Sequence, residues 1–361
     1  MATLGVFLDS GVLFRVLRRR RVFEAVHLYE PAAREFGLNL VLFRPRGLSR
    51  RRRRVRGYSV PGFRPVSVPI PEVVHNRTLQ SASSRSGVRW LQARGVHVFN
   101  PIVPASKHAK HLLLNRSAEV RPYLPSAFRL APGWPARLET LQRRSGQFFV
   151  KPSFGSRGQG VIRIASAGGG RYRVDGVRHR VVGRRGLRRC VRQAARRGPH
   201  ILQEGIELAR YQGQPFDIRV HLQRGEGGHW NVPGMAARRA HSGRFVTNLT
   251  RGGSAHRVRE VLAAAFPGTD RERIYEHIEQ ASLAVGRAMA SSYPRVADLG
   301  LDVGLDRDAH PWILEVNLRM LRLSLRDTGE HEAWARVYRN PVAYAHHLLT
   351  TGGHMGEAGT T

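Results

Sequence analysis

The chain has 361 residues, a hydrophobic fraction of 41% and a formal net charge of +34, which is typical of a folded protein with two or three domains. It contains no apolar run of about eighteen residues, and Asp9 interrupts the first apolar stretch, so neither a membrane-spanning helix nor a secretory signal is expected. The single cysteine, Cys190, cannot form an internal disulfide, which favours a reducing, cytoplasmic location.

Residues 1–100 are predicted to form a small N-terminal α/β domain. Strands alternate with helices in this part of the chain, which favours a parallel sheet. Apolar spacing predicts helices at 22–36 and 79–93, and strands at 4–8, 38–43, 73–75 and 96–99. The arginine-rich stretch 47–56 is expected to be an exposed loop.

Residues 101–350 are predicted to form a second domain with α+β structure, divided into parts 101–205 and 206–350. A disordered, glycine-rich tail is expected at 351–361. A helix is expected at 107–114, then a proline-rich connection, and a basic helix is expected at 186–196. Strands are expected at 147–151, 161–164 and 171–174 before the basic helix, and at 200–203, 216–223 and 230–238 after it. A capping box from Thr269 to Glu272 is expected to open an amphipathic helix, and a helix near 341–349 to close the fold.

A lysine and a glycine-rich loop form the first motif with chemical meaning. Lys151 ends a predicted strand, and residues 155–160 contain three glycines before the next strand begins. Glycines permit positive φ and close backbone approach, so successive amides can face phosphate oxygens. The spacing is not that of a P-loop, and an ordinary hairpin with a flexible turn is the alternative.

The second motif is a predicted β-hairpin at 299–317 that carries two carboxylates. Asp302 and Glu315 are equidistant from the centre of its turn, which predicts that they lie opposite each other. Glu315 and Asn317 share a strand face. Converging like charges are costly unless they are compensated, and oxygen ligands select Mg²⁺ or Mn²⁺. A polar face that points to solvent is the alternative.

The third motif is a charged strand face. Asp217 and Arg219 are two residues apart, and Arg238 lies in the next predicted strand. Surface strands often have this pattern. Beside a phosphate site, however, the two arginines become candidates for bidentate contacts to oxyanions.

In this order the motifs resemble the ATP-grasp superfamily, and within it the branch of endospore-coat-associated proteins of the YheC/YheD type. The resemblance extends from about residue 100 to 320 and is weaker over 1–100. It is carried by Lys107 at the start of a helix, Leu124-Pro125, and the segments 149–152, 155–160, 201–206, 216–220, 246–249, 251–253, 301–304 and 315–317.

The resemblance implies an α+β ATP-grasp fold, with a small domain preceding two subdomains that hold ATP between them. It implies an enzyme that phosphorylates a carboxylate with ATP and then joins it to an amine or thiol. Metal and arginine neutralise the charge on the transferred phosphoryl group. The implied partners are therefore ATP and unidentified carboxylate and amine substrates, an acidic peptide among them.

The resemblance also implies a role for individual residues. Lys107 and Lys151 would contact ATP phosphates, Arg238 would face the transferred phosphate, and Lys151 and Arg238 are the catalytic candidates. Asp302, Glu315 and Asn317 would carry one or two Mg²⁺. The remaining nucleotide-binding candidates are Gly155, Ser156, Gly158 and Gly160 in the loop, Gln203, Glu204, Gly205 and Ile206 at the adenine, and Asp217 and Arg219.

Two departures from the family pattern concern the acceptor side. Leu318-Arg319-Met320 stands where a small residue and a proline are expected after Asn317, and His108 follows Lys107 where an aromatic residue is common. His108 and His111 share a helical face, but no acidic or cysteine partner is spaced for a zinc site. They are therefore expected to be surface histidines.

Two rival functions stay open from the sequence alone. One is a non-catalytic ATP-binding component of a spore coat, although retained metal ligands favour the enzyme. The other is nucleic-acid binding through the arginine runs at 18–21 and 50–54, which contain no interleaved aromatic residue. Only three of the 60 basic residues are lysines, so the arginine excess favours compositional bias, and the three lysines become candidates for sites that need a compact ammonium.

Overall fold

The protein is described by a computed structural model over residues 1–18, 23–78, 81–101, 103, 105–155, 159–176, 179–241 and 252–352. It has the mixed α/β architecture expected from the sequence, built on three sheets. No helix in these ranges is both long enough and apolar enough to cross a membrane. The division of the chain into domains at residues 100 and 205 stays a prediction.

The first sheet is built from the N-terminal hundred residues. Its central strands, β2, β1, β6 and β7, run parallel, and β3, β4 and β5 extend one edge as antiparallel strands. The strands are β1 (Thr3–Phe7), β2 (Asn39–Phe43), β3 (Leu48–Ser49), β4 (Arg54–Val60), β5 (Pro65–Pro69), β6 (Val73–Asn76) and β7 (His97–Phe99).

Helices cover both faces of this sheet, as a parallel sheet requires. The helices α1 (Ser10–Leu17) and α2 (Tyr29–Glu35) share one core with the C-terminal α10 (His331–Thr350). On the opposite face, α3 (Ala82–Gln92) packs on a second core through Val88 and Leu91. A helix from the C-terminal part of the chain therefore stabilises the first sheet.

The second sheet is antiparallel and has the order β12-β11-β10-β9-β13-β8. One core beneath it includes Leu141 of α5 (Trp134–Arg144) and Val191 of α6 (Arg184–Arg196). A short helix, α4 (Lys107–Asn115), precedes the sheet in the chain. The strands are β8 (Ala127–Arg129), β9 (Gln147–Pro152), β10 (Ile162–Ser166), β11 (Arg171–Asp175), β12 (His179–Gly183) and β13 (His200–Glu204).

The third sheet is also antiparallel, with the order β17-β16-β15-β18-β19, and β14 pairs with β15. Its strands are β14 (Arg210–Tyr211), β15 (Gln214–Arg224), β16 (Trp230–Arg239), β17 (Ser254–His256), β18 (Asp298–Leu305) and β19 (Pro311–Asn317). The helices α7 (Val258–Ala265) and α8 (Arg271–Ser292) share its core. The short α9 (Leu323–Asp327) precedes α10.

A buried ionic network joins the first and third sheets. Arg77 contacts Glu24 at 2.8 Å and Asp298 at 3.1 Å, and Arg322 contacts the same two carboxylates at 3.5 and 2.8 Å. All four side chains are at most 1% exposed. Burial opposes ionisation of Asp298, but Arg322, His75 and Arg77 outweigh it and lower the pKa of its carboxyl. Two carboxylates and two guanidinium groups therefore balance one another across the junction.

Several sequence-based expectations about local structure were wrong. The stretch 47–56 is not a loop throughout, because β3 and the start of β4 form a hairpin there. The proline-rich connection contains β8 and α5, with Pro135 in the first turn of α5, where a proline costs no helical hydrogen bond. The cap of α8 is Asp270 rather than Thr269, since its carboxylate accepts the Glu272 amide at 2.9 Å.

Two helices also begin elsewhere than expected. In place of one helix over 22–36, a 3₁₀ turn at Val26–Leu28 leads into α2. The closing helix α10 begins at His331 and holds Pro341 in its interior. The expected disordered tail lies outside the described residues from 353 onward, as do residues 19–21 of the first arginine run.

Candidate active site

A cleft lies where α4 and the second sheet face the hairpin of β18 and β19. Its apolar lining includes Leu124, Ile201 and Leu314. Its polar lining is Lys107, Lys110 and His111 from α4, Gln203 from β13 and Glu315 from β19. Lysines, a glutamine and a glutamate that lie far apart in the sequence therefore line one cleft.

The β18–β19 hairpin places the two carboxylates as expected. Asp302 and Glu315 are direct cross-strand partners, which confirms the predicted pairing. The pairing depends on a bulge, because Val303 pairs with Ile313 and leaves Leu314 as an extra residue on β19. Without that bulge Asp302 would face Leu314 instead.

Arginines, rather than solvent, compensate Asp302. Its Oδ1 lies 2.7 Å from Arg219 and 3.0 Å from Arg238, and Arg238 also makes two bonds of 2.7 Å to Asp217. Burial of Asp302 opposes its ionisation, but the two arginines outweigh it and lower the pKa of its carboxyl. The third motif thus lies beside the second, and Asp217 fixes the orientation of Arg238.

The other carboxylate, Glu315, pairs with a lysine from α4. The Lys107 ammonium lies 2.9 Å from Glu315 Oε1 and donates to the Gly155 carbonyl at 2.7 Å. Ser106 caps α4 by accepting the Ala109 amide at 3.0 Å, which fixes the helix end that carries Lys107. Basic side chains of the protein therefore balance the negative charge of both carboxylates. The sequence-based prediction had considered only a divalent cation for this purpose.

The other two lysines of the chain face the same charges. Burial lowers the pKa of Lys151, on β9, to about 8, while Glu315 and Asp302 act in the opposite direction. Burial likewise lowers the pKa of Lys110 to about 8, with the same two carboxylates opposing it. Lys110 donates to the Val316 carbonyl, between Glu315 and Asn317. Lys110 was not among the predicted site residues. The only feature of the sequence that pointed to it was the rarity of lysine, of which the chain has three.

The glycine-rich loop after Lys151 begins and ends in the left-handed region. Gly155 has φ +110° and Gly160 has φ +71°, conformations that favour glycine. The other two predicted contacts in this loop, Ser156 and Gly158, lie outside the described residues. Residues 246–249 and 251, which belong to segments that resemble the ATP-grasp family, also lie outside them.

The segment from Gln203 to Ile206 is held firmly by its neighbours. Gln203 is buried, and the Glu204 carboxylate accepts the Ser126 amide at 3.0 Å. The Gly205 amide donates to the Gln147 carbonyl at 3.0 Å, and the Gln147 side chain donates to the Ile206 carbonyl at 2.8 Å. A Cβ on Gly205 would lie 2.5 Å from Gln147 Cγ, so this backbone position requires glycine.

The segment after Asn317, which departs from the family pattern, connects the hairpin to the first sheet. Met320 packs against Gly300, and its carbonyl accepts Arg77 at 2.9 Å. Arg319 lies 3.3 Å from Asp9, the residue that precedes α1. The departure therefore replaces the expected proline with contacts across the junction of the two sheets.

The expected surface histidines of α4 are only partly exposed. His108 and His111 are both half-buried. Burial lowers the pKa of His111 to about 4, and its ring lines the cleft. Over the described ranges, no group of three or more His, Cys, Asp or Glu side chains is placed to hold a metal ion.

The donor set of Asp302, Glu315 and Asn317 is of a different kind, because it has two carboxylates and one amide. Such oxygen donors on paired strands fit Mg²⁺ or Mn²⁺. Lys107 contacts one oxygen of Glu315, so a cation would share this carboxylate with the lysine or displace it. The assignment of these three residues as metal ligands stays a prediction.

Comparison with known proteins decides the family. A model of the family described as YheC/D like ATP-grasp matches residues 95–348. The chain belongs to the YheC/D-like ATP-grasp family. Among its relatives are two from Bacillus subtilis (strain 168): endospore coat-associated protein YheC is 23% identical over 93% of this chain and 96% of its own length, and YheD is 22% identical over 81% of this chain and 66% of its own.

Solved structures show the same fold. A D-alanine–D-alanine ligase from Bacillus anthracis, complexed with ATP, aligns over 98% of this chain and 99% of its own, with a TM-score of 0.52 and 11% identity. D-cycloserine synthetase DcsG aligns over 94% and 100%, with a TM-score of 0.52 and 16% identity. The YheC/D-like chain therefore has the ATP-grasp fold that its motifs resembled.

Proposed function

We propose that this protein is an ATP-dependent ligase that binds Mg-ATP in the cleft between the second and third sheets. The observation that carries the proposal is the convergence of lysines from α4 and β9 with the paired carboxylates of the β18–β19 hairpin. The charged side chains named in this cleft and beside it comprise five cations and three carboxylates, and the surplus positive charge favours an anionic ligand. They are Lys107, Lys110, Lys151, Arg219 and Arg238, with Asp217, Asp302 and Glu315.

The positions of these groups support distinct roles. Lys107 and Lys151 would hold phosphate oxygens. Asp302, Glu315 and Asn317 would hold Mg²⁺, which neutralises phosphate charge when bound. Arg219 stays tied to Asp302, and Arg238 to Asp217 and Asp302, so their orientation is fixed before any ligand arrives.

We further propose that the reaction joins a carboxylate to an amine or thiol. The γ-phosphoryl group of ATP would pass to the carboxylate, giving ADP and an acyl phosphate, and the nucleophile would then displace inorganic phosphate. The ligases among the structural neighbours support this reaction class. The names of YheC and YheD support a link to the spore coat, which recovery of the chain in isolated coats would test.

A trapping assay tests the chemistry without knowledge of the amine. Hydroxylamine replaces the amine, and candidate carboxylates, including free amino acids and acidic peptides, are screened for ATP-dependent formation of a hydroxamate together with phosphate release. We expect formation by the wild type, its loss in Lys151→Met, and its retention in Arg116→Met, an exposed residue at the end of α4. ATP binding without hydroxamate from any carboxylate would instead favour a non-catalytic coat component.

A further inference from the structure

The chain's lysines share one location. All three in the sequence, Lys107, Lys110 and Lys151, interact with the charge of Glu315. Arginine supplies the other basic residues of the chain. A composition that uses arginine almost everywhere else thus has its lysines beside the paired carboxylates Asp302 and Glu315, which indicates that the compact ammonium is needed there.

We propose that Lys110 is a third lysine that binds the phosphate groups of the nucleotide; this inference rests on the proposed function. Lys110 and Lys107 are one helical turn apart on α4, so their side chains lie on the same face. Both line the cleft beside Glu315 and Gln203. The position of Lys110 was not among those that the family resemblance assigned.

The hydrogen bonding of Lys110 leaves room for such a ligand. Within the described parts of the chain its ammonium donates to one acceptor, the Val316 carbonyl. An ammonium has three donors, so two remain for phosphate oxygens. Lys107, in contrast, already contacts both Glu315 and Gly155. Lys110 is therefore the lysine of α4 with the greater unused capacity for an anion.

A purely structural role is the competing explanation. The bond to Val316 ties α4 to β19, and this tether alone could account for a buried lysine. The two roles predict different responses to Lys110→Gln, because a glutamine amide can still donate to the Val316 carbonyl but carries no charge. A tether is preserved by this change, whereas a phosphate contact is lost.

The test is calorimetric titration of the full chain with ATP and with AMP in the presence of Mg²⁺. We expect Lys110→Gln and Lys110→Met to weaken ATP binding by about tenfold or more, the loss of one hydrogen bond to a charged group. AMP binding is expected to weaken far less, since AMP lacks the β- and γ-phosphates. Arg116→Met removes the same charge from the end of α4 and is expected to bind both nucleotides as the wild type does.

The outcomes separate this inference from the proposed function. Equal weakening of ATP and AMP binding, or wild-type affinity in Lys110→Gln, would overturn the phosphate role and leave the tether. Lys107→Met serves as the reference variant. If Lys107→Met also bound ATP as the wild type does, the proposed nucleotide site itself would be wrong, and not the assignment of Lys110 alone.

Discussion

Replacing each hairpin carboxylate by its amide is expected to have very different effects on stability, although the two residues are cross-strand partners. Asp302 is 15% exposed and is the carboxylate bound by Arg219, itself 13% exposed. Asp302→Asn leaves that guanidinium group buried without its counter-charge, and breaking a buried ion pair typically costs about 3–5 kcal/mol. Arg238 keeps Asp217, so we expect the lower end, about 3 kcal/mol.

Glu315→Gln is expected to cost less unfolding free energy than Asp302→Asn, although it also removes the negative charge that acts on the buried lysines Lys110 and Lys151. The side chain of Glu315 is 27% exposed and that of Lys107 is 17% exposed, so solvent screens this pair more than it screens Asp302 and Arg219. Lys107 also keeps its bond to the Gly155 carbonyl. Exposure and the remaining partners, rather than the charge removed, therefore decide the difference between the two variants.

Urea unfolding followed by circular dichroism measures both changes against Asp308→Asn. Asp308 lies exposed in the turn of the same hairpin, so its variant controls for loss of one negative charge and is expected to unfold as the wild type does. A shift in the midpoint without a change in the slope reports stability. Equal losses in Asp302→Asn and Glu315→Gln, or a larger loss in Glu315→Gln, would refute the reasoning.

Three further outcomes are expected. Folding lowers the pKa of His75 to about 4, below the unfolded value of about 6.5, so acid stabilises the unfolded state. This residue alone is expected to lower the unfolding free energy by about 2 kcal/mol between pH 7 and pH 5, in addition to the effect of other histidines whose pKa burial lowers, and urea titrations are expected to show a smaller fall in His75→Gln. Gly205→Ala is expected to lower the unfolding midpoint through a loss of about 1–3 kcal/mol, whereas Gly146→Ala, where a Cβ meets nothing within 4 Å, is not; equal midpoints would contradict the packing argument. Ser106→Ala removes the cap of α4 and is expected to cost about 1 kcal/mol in the same assay, with Ser106→Thr retaining the cap.

Much of the fold could be predicted from local pattern. The apolar strands β1, β2, β6 and β7 are uninterrupted by charge, and the two halves of the β18–β19 hairpin flank an obvious polar turn. Exposed arginines, in contrast, hid β4, whose buried positions Val55 and Gly57 alternate with charged or polar neighbours. Prolines hid α5 because they were taken as breakers rather than as first-turn residues.

The site was only partly predictable, because its charge balance arises from tertiary contacts. Spacing predicted that Asp302 and Glu315 are partners, but it gave no sign of the bulge at Leu314 on which that pairing depends. Their counter-ions come from distant parts of the chain, Arg219 being 83 residues from Asp302. A local sequence pattern cannot predict a contact between residues so far apart in the chain. The ion pairs of the buried network around Asp298 could not be predicted for the same reason. Lys110 was visible only as a rare residue type, without a motif to assign it a role.

The central claim, a metal-dependent ATP site at Glu315, is tested most directly by calorimetric titration with ATP, with and without Mg²⁺. The account predicts that the wild type and Asp308→Asn bind ATP more tightly with Mg²⁺. In Glu315→Gln, which is expected to remain folded, this enhancement by Mg²⁺ is expected to disappear. Absence of ATP binding by the wild type at millimolar concentration, or an unchanged Mg²⁺ effect in Glu315→Gln, would contradict it.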